Sequence, residues 1–144
     1  MAFTTTVMPT SFKQQILQAK HNFATGGNTF KLALYNNSAS FTAATTAYTT
    51  TNEVAASGSY AAGGGTLTKQ GVSTSGTTAL TDFSDLSFTT ATITAFGALI
   101  YNDTATGDPA VAVLNFGGAK TSTAGTFTIV FPAATATGAI IRIA

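Results

Sequence analysis

The chain contains no cysteine, a single histidine and very little charge: six Lys and Arg, five Asp and Glu, together 8% of 144 residues. Average soluble domains carry about 25% charged residues. Without cysteine there is no disulfide framework, no thiolate nucleophile and no Cys-ligated metal. One histidine and five carboxylates make acid–base constellations sparse. His21 stands beside Lys20 with no carboxylate near in sequence, so it lacks the partner a general base needs. The pattern predicts instead a partly exposed histidine stabilising a helix C-terminus. Asp82 and Asp85, and Asp103 and Asp108, lie in loop-like stretches without the ligand spacing of a calcium site, and are expected to form turns. Glu53 is expected to be solvated or paired with a neighbour's lysine. Gly63-Gly64-Gly65 lacks the Lys-Ser/Thr ending of a phosphate loop, and no serine sits in a G-x-S-x-G frame. No catalytic, cofactor or metal constellation is expected. The six basic residues are scattered and form no stripe, which argues against nucleic acid. The longest apolar run, Ala95–Tyr101, falls far short of the ~18 residues that read as a membrane span. The first residues, MAFTTTVMP, have neither a basic region nor a long apolar core, so synthesis and retention in a cytoplasm are expected.

What is present is threonine, alanine, glycine and short apolar alternation. The chain is organised around Ala91–Gly118. In Ala91–Tyr101, Ile93, Ala95, Gly97, Leu99 and Tyr101 share one face under strict alternation, and Thr92, Thr94, Phe96, Ala98 and Ile100 share the other. Large apolar groups on both faces mark a central strand. Asn102–Asp108 supplies turn residues, and Ala110–Phe116 returns, which predicts a long central hairpin.

Around it, Met1–Pro9 reads as an arm or edge strand. Ser11 and Gln14 fit a capping box, and Phe12, Ile16, Ala19 and Phe23 recur at helical spacing, predicting a helix over Phe12–Asn22 that Gly26-Gly27 stops. Strands are expected over Thr29–Tyr35, Thr66–Val72, around Leu80, around Leu86–Phe88, over Thr126–Phe131 and over Ala139–Ile143. Lys120–Gly125 reads as a polar turn. Phe41–Val54 fits a short strand or a surface loop, and Ala55–Gly65 a flexible connection anchored by Tyr60. One domain is expected over 1–144: mainly β, an antiparallel β-sandwich, jelly-roll-like or Ig-like, with one N-terminal α-helix. A surface this poor in charge is expected to be covered by neighbouring subunits.

Several stretches carry a resemblance: SFKQQILQAKHNF at Ser11–Phe23, FKLALYNNSA at Phe30–Ala39, TTAYTTTNEV at Thr45–Val54 and GSYAAGGGTLT at Gly58–Thr68. They continue with GALIYN at Gly97–Asn102, AVAVLNFGG at Ala110–Gly118, AGTFTIVFP at Ala124–Pro132 and the closing AIIRIA. Over nearly its whole length the chain resembles small virion structural proteins of tailed bacteriophages, the capsid decoration, cement or head-associated type. The resemblance implies a non-enzymatic protein made in the host bacterial cytoplasm and resident on the capsid surface. Its implied partners are the major capsid protein and itself, as a homo-oligomer and by three-fold geometry a trimer, with no cofactor, nucleic acid or membrane. Members of that group carry a basic residue where this chain has Phe96 and Asp where it has Asn115, implying a more apolar interface here. Candidate partner contacts are Phe3 and Val7 on the arm, Tyr48 and Tyr60 in the Phe41–Gly65 stretch, Phe96, and Asn102 and Asp103 at the hairpin loop. The rival expectations are a tail, neck or baseplate component, and a host-binding module presenting surface tyrosines, Tyr35, Tyr48 and Tyr60, to glycans.

Overall fold

Two long strands, β5 (Leu86–Asn102) and β6 (Ala110–Ile129), form one hairpin, and the rest of the chain is arranged on it. A computed structural model describes residues 3–144; Met1 and Ala2, part of the expected arm, lie outside the described residues. The other elements are α1 (Thr10–Leu17), β1 (Phe30–Tyr35), β2 (Gly65–Thr66), β3 (Lys69–Ser75), β4 (Thr78–Phe83) and β7 (Ile141–Ile143). The fold is mainly β, with two antiparallel sheets and one short N-terminal helix, as expected of a β-sandwich. One sheet has the order β2-β1-β5-β6 and the other β3-β4-β7.

The hairpin is longer than its sequence signals suggest. Lys120–Gly125, expected to be a turn, is strand: Lys120 pairs with Ala95, Thr121 with Thr94 and Ser122 with Ile93. Thr126–Ile129 is the far end of β6 and not a separate strand, and Leu86–Phe88 is the beginning of β5. β-branched threonine suits a pleated surface. Side-chain hydroxyls also meet across the ladder, Ser87 Oγ with Thr128 Oγ1 at 2.8 Å and Thr94 Oγ1 with Thr121 Oγ1 at 3.4 Å.

Strict alternation along β5 is broken twice. Thr90 has φ 52°, and the register shifts between Phe88 and Ala91. It shifts again where Ala95 pairs with Lys120 but Gly97 pairs with Asn115, so that Phe116–Ala119 stand opposite Phe96 alone. Each bulge exchanges the faces. Phe88, then Ala91, Ile93 and Ala95, then Ala98 and Ile100 therefore all enter one core, while Leu99 and Tyr101 enter another. Grouping Ile93 and Ala95 with Leu99 and Tyr101, as simple alternation requires, is thus corrected. Double-sided burial holds only for the segment Gly97–Asn102; Thr92 and Thr94 are exposed.

The main core lies on one face of the larger sheet and joins Phe30, Leu32, Leu34 and Phe127 of that sheet to Phe12 of α1, Phe23 from the loop after it, and Phe83 and Ile141 of the smaller sheet. The second core lies on the opposite face. Ala33, Tyr35, Leu99, Tyr101 and Val113 are covered there by Phe3, Val7, Phe41 and Tyr48, which belong to the arm and the loop after β1. Phe41–Val54 contributes single bridges only, Phe3 to Phe41, Ala47 to Pro109 and Tyr35 to Glu53, so it is a covering loop and not a strand.

The helix is shorter than the expected Phe12–Asn22. Pro9 is its N-cap without a side-chain cap bond, so the Ser11–Gln14 capping box does not form; Ser11 Oγ donates to Thr45 O at 3.4 Å instead. At the other end Ala19, with φ 56°, donates to Ile16 O and Lys20 to Gln15 O. That pair of bonds is a Schellman ending with alanine in the left-handed position glycine usually takes. Gly26-Gly27 therefore stops nothing.

Ala55–Gly65, expected to be flexible, is packed. Gly64 has φ +79°, and a Cβ there would lie 1.8 Å from Leu32 O of β1. Only glycine allows that backbone approach. Gly64→Ala is expected to destabilise the protein by about 3 kcal/mol or more, through both strain and collision. Urea unfolding of the variant checks this; a midpoint equal to wild type would show that the loop does not lie against β1.

Candidate partner-binding surface

The seven residues singled out from the sequence fall into three groups. Phe3, Val7 and Tyr48 come together on the second core. Val7 exchanges both backbone hydrogen bonds with Val113 at 2.9 Å, extending the sheet beyond β6. Phe3 packs on Phe41 with ring centroids 5.6 Å apart and sits over Gly97, where a Cβ would lie 2.6 Å from its ring. The described part of the arm is thus bound to its own sheet. Phe96 is half-buried at the β6 bulge, and Asp103 is exposed with its carboxylate 3.2 Å from Lys31 Nζ.

Tyr60 and Asn102 are corrections. Both are buried, so neither offers a surface to a partner. Asn102 is an internal linchpin: Nδ2 donates to His21 Nδ1 and Asn28 Oδ1, both at 3.1 Å, and Oδ1 accepts from Thr104 N and Ala105 N. It ties the hairpin loop to the segment after α1, work that its turn-forming chemistry alone does not announce.

Tyr60 belongs to a tyrosine–carboxylate cluster. Its hydroxyl donates to Glu53 Oε1 at 2.7 Å and accepts from Leu34 N at 2.9 Å. Tyr48 donates to Glu53 Oε2 at 2.7 Å, and Gly63 N donates to Oε1 at 2.8 Å. Tyr101 donates to Gly63 O and Tyr35 to Thr49 O. All four tyrosines of the chain therefore grip the loop residues Thr49–Gly63. Glu53, expected to be solvated, is half-buried and is the acceptor at the centre. Burial, and after it the Glu53 hydrogen bond, push the Tyr48 phenol well above its ordinary value; burial does the same for Tyr60. Both stay donors at any physiological pH. With Tyr35, Tyr60 and Tyr101 buried and Tyr48 stacked on Tyr101 at 4.5 Å, no tyrosine patch faces solvent for a sugar.

His21 is also corrected. α1 ends at Leu17, and His21 is buried beyond it, 4.9 Å from the Phe12 ring. Its Nε2 meets Gln15 Oε1 at 2.8 Å and its Nδ1 meets Asn102 Nδ2. One neutral tautomer, Nε2–H donating and Nδ1 accepting, satisfies both partners. Burial first, and Lys20 second, lower its pKa from 6.5 to about 4. Asp82 is fully buried as well. Oδ1 accepts from Phe83 N, Oδ2 has no partner among the described residues, and burial raises its pKa above 3.8. Among the described residues no three His, Cys, Asp or Glu side chains converge to hold a metal ion, and no helix is long and apolar enough to cross a membrane.

Neither a protein-family model, nor a curated protein, nor a solved structure matches this chain.

Two outcomes follow for the cluster and the histidine. Glu53→Ala leaves two phenols and an amide without their acceptor and is expected to cost roughly 3 kcal/mol, with Glu53→Gln recovering part of it; chemical denaturation measures both. His21 stays neutral in the fold down to about pH 4 but protonates near 6.5 once unfolded. Its stabilisation is therefore complete above 6.5 and is lost, on the order of 2–3 kcal/mol, as pH falls towards 4. Asp82 acts oppositely, favouring the fold at low pH, so the informative quantity is the difference between wild type and His21→Gln across that window. Parallel stability curves for the two proteins would exclude a buried neutral imidazole.

Proposed function

We propose that this chain is a non-enzymatic structural protein of a tailed-phage virion: a capsid decoration protein that binds the major capsid protein lattice, and its own copies as a trimer, and stabilises the shell. The resemblance read in the sequence supplies the family of this reading. The observation that carries it is the outer flank of β6. Beyond the bulge, from Thr121 to Ile129, this outermost strand carries no charge and no proline and presents Thr, Ser, Ala and Gly beside Phe127 and Ile129. Free sheet edges in isolated proteins are normally blunted by charges, prolines or covering elements. An edge left open is suited to a crowded surface where neighbours cover it. A shallow groove beside it, lined by Phe116, Phe127, Ile129 and Val130, adds apolar area to the same flank.

A cement protein works by bridging. Each copy buries surface on adjacent capsid subunits and resists the outward pressure of packaged DNA, and repetition over the lattice turns weak single contacts into durable attachment. The candidate contacts are the β6 flank, Phe96 beside the bulge, and the exposed tip of the hairpin loop at Asp103. The buried tyrosines count against the glycan-binding alternative.

Particles stripped of the protein are expected to release DNA at a lower temperature than complete particles, with re-addition restoring the difference. An unchanged release temperature would remove the stabilising role, and density for the chain on the tail or baseplate in a virion map would remove the capsid assignment.

A further inference from the structure

The end of the molecule formed by α1, β3 and β7 is apolar on its outside. Leu17 is 89% exposed, Val72 59% and Ile143 57%, three of the four large apolar side chains that the described residues leave open. They are linked through Ile16 and Ile143. A groove of about 230 Å³ between α1 and β7 runs past Phe12, Ile16, Leu17 and Ile143, and a second on the far side of Ile143 reaches Val72. β7 is the outermost strand of its sheet, so one side of its backbone has no strand partner. The rim is basic: Lys13 and Arg142 are both exposed on the first groove, and among the described residues no acidic side chain lines either one. Among the described residues the Arg142 guanidinium hydrogen-bonds only to a neutral carbonyl, that of Ala136 at 3.3 Å, and makes no ion pair.

We propose that this end docks an extended segment of another protein in which bulky apolar side chains are flanked by carboxylates. The segment's backbone adds to the free edge of β7, an apolar side chain enters the groove between α1 and β7, and the carboxylates pair with Lys13 and Arg142. Strand addition of this kind takes affinity from the main chain and specificity from alternate side chains. A second copy of this chain does not supply such a segment. Glu53 and Asp82 are held inside, Asp103 is paired with Lys31, and Asp85 accepts from Phe131 N. Asp108 remains, flanked by Gly107 and Pro109, with no bulky side chain to insert. The inference stands independently of the virion reading.

The test is a titration of the full-length, isotope-labelled chain with a short synthetic peptide alternating Asp with Leu and Ile, and with a matched peptide carrying Lys for Asp. Saturable amide-shift changes confined to α1, β7 and the Val72 region are expected with the acidic peptide alone. Leu17→Asp and Ile143→Asp are each expected to weaken binding about tenfold or more. The double variant Lys13→Glu, Arg142→Glu is expected to exchange the preference, binding the lysine peptide instead. All four positions are exposed, and thermal melts verify that each variant is folded. Equal response to both peptides, shifts elsewhere, or no saturation below about 1 mM would overturn the proposal. Concentration-dependent dimerisation abolished by Leu17→Asp would replace it with self-association. Binding to phosphatidylserine vesicles, lost in the same variants, would replace it with a lipid surface.

Discussion

A stretch of chain that covers a sheet face without hydrogen-bond ladders of its own must be held by side chains. The larger sheet has two buried faces but only one of them meets the main core with its helix and second sheet. The other is roofed by the described arm and by the loop after β1, which make single bridges. Glu53 with its two phenols, and Tyr35 and Tyr101 with their backbone acceptors, provide the missing fastening. A carboxylate is a strong acceptor, and charge-assisted bonds are about twice as strong as neutral ones. Placing the charge at the centre of the roof lets one side chain fix residues from Tyr48 to Gly63. Burial of Ala33, Tyr35, Leu99 and Val113 depends on that roof remaining closed.

β1 was legible almost to the residue, because Phe30, Leu32 and Leu34 alternate without interruption. So was the hairpin loop, where Asn102, Asp103, Gly107 and Asp108 crowd together. The faces of β5 were not, because a bulge is a backbone event placed by three-dimensional packing, and Thr90 and Phe116–Ala119 carry no distinctive signal apart from Gly117-Gly118. Composition misled at Lys120–Gly125: polar residues there looked like a turn, whereas cross-strand threonine pairing makes them strand. The helix end was hidden because Ala19 occupies a position where glycine is the usual marker.

Of the residues singled out as partner contacts, Phe96 and Asp103 keep some exposure, whereas Tyr60 and Asn102 turn inward. Glu53 and His21 take roles other than those expected of them for one reason. Their roles are set by partners far along the chain, Asn102 for His21 and, for Glu53, two phenols that read equally well as surface groups. Low charge, by contrast, was informative. Of the five acids, Asp82 is buried and Glu53 is half-buried on internal donors, which leaves the exterior even less charged than the composition.

The pairing of Val7 with Val113 carries a consequence for the order of folding. The two partners are separated by roughly a hundred residues, so a long loop must close before the bridge forms. Until it does, the sheet face bearing Leu99 and Val113 lacks part of its cover. That face therefore closes after the β5–β6 hairpin, whose own contacts are far more local, and it is the first to open when the fold is loosened.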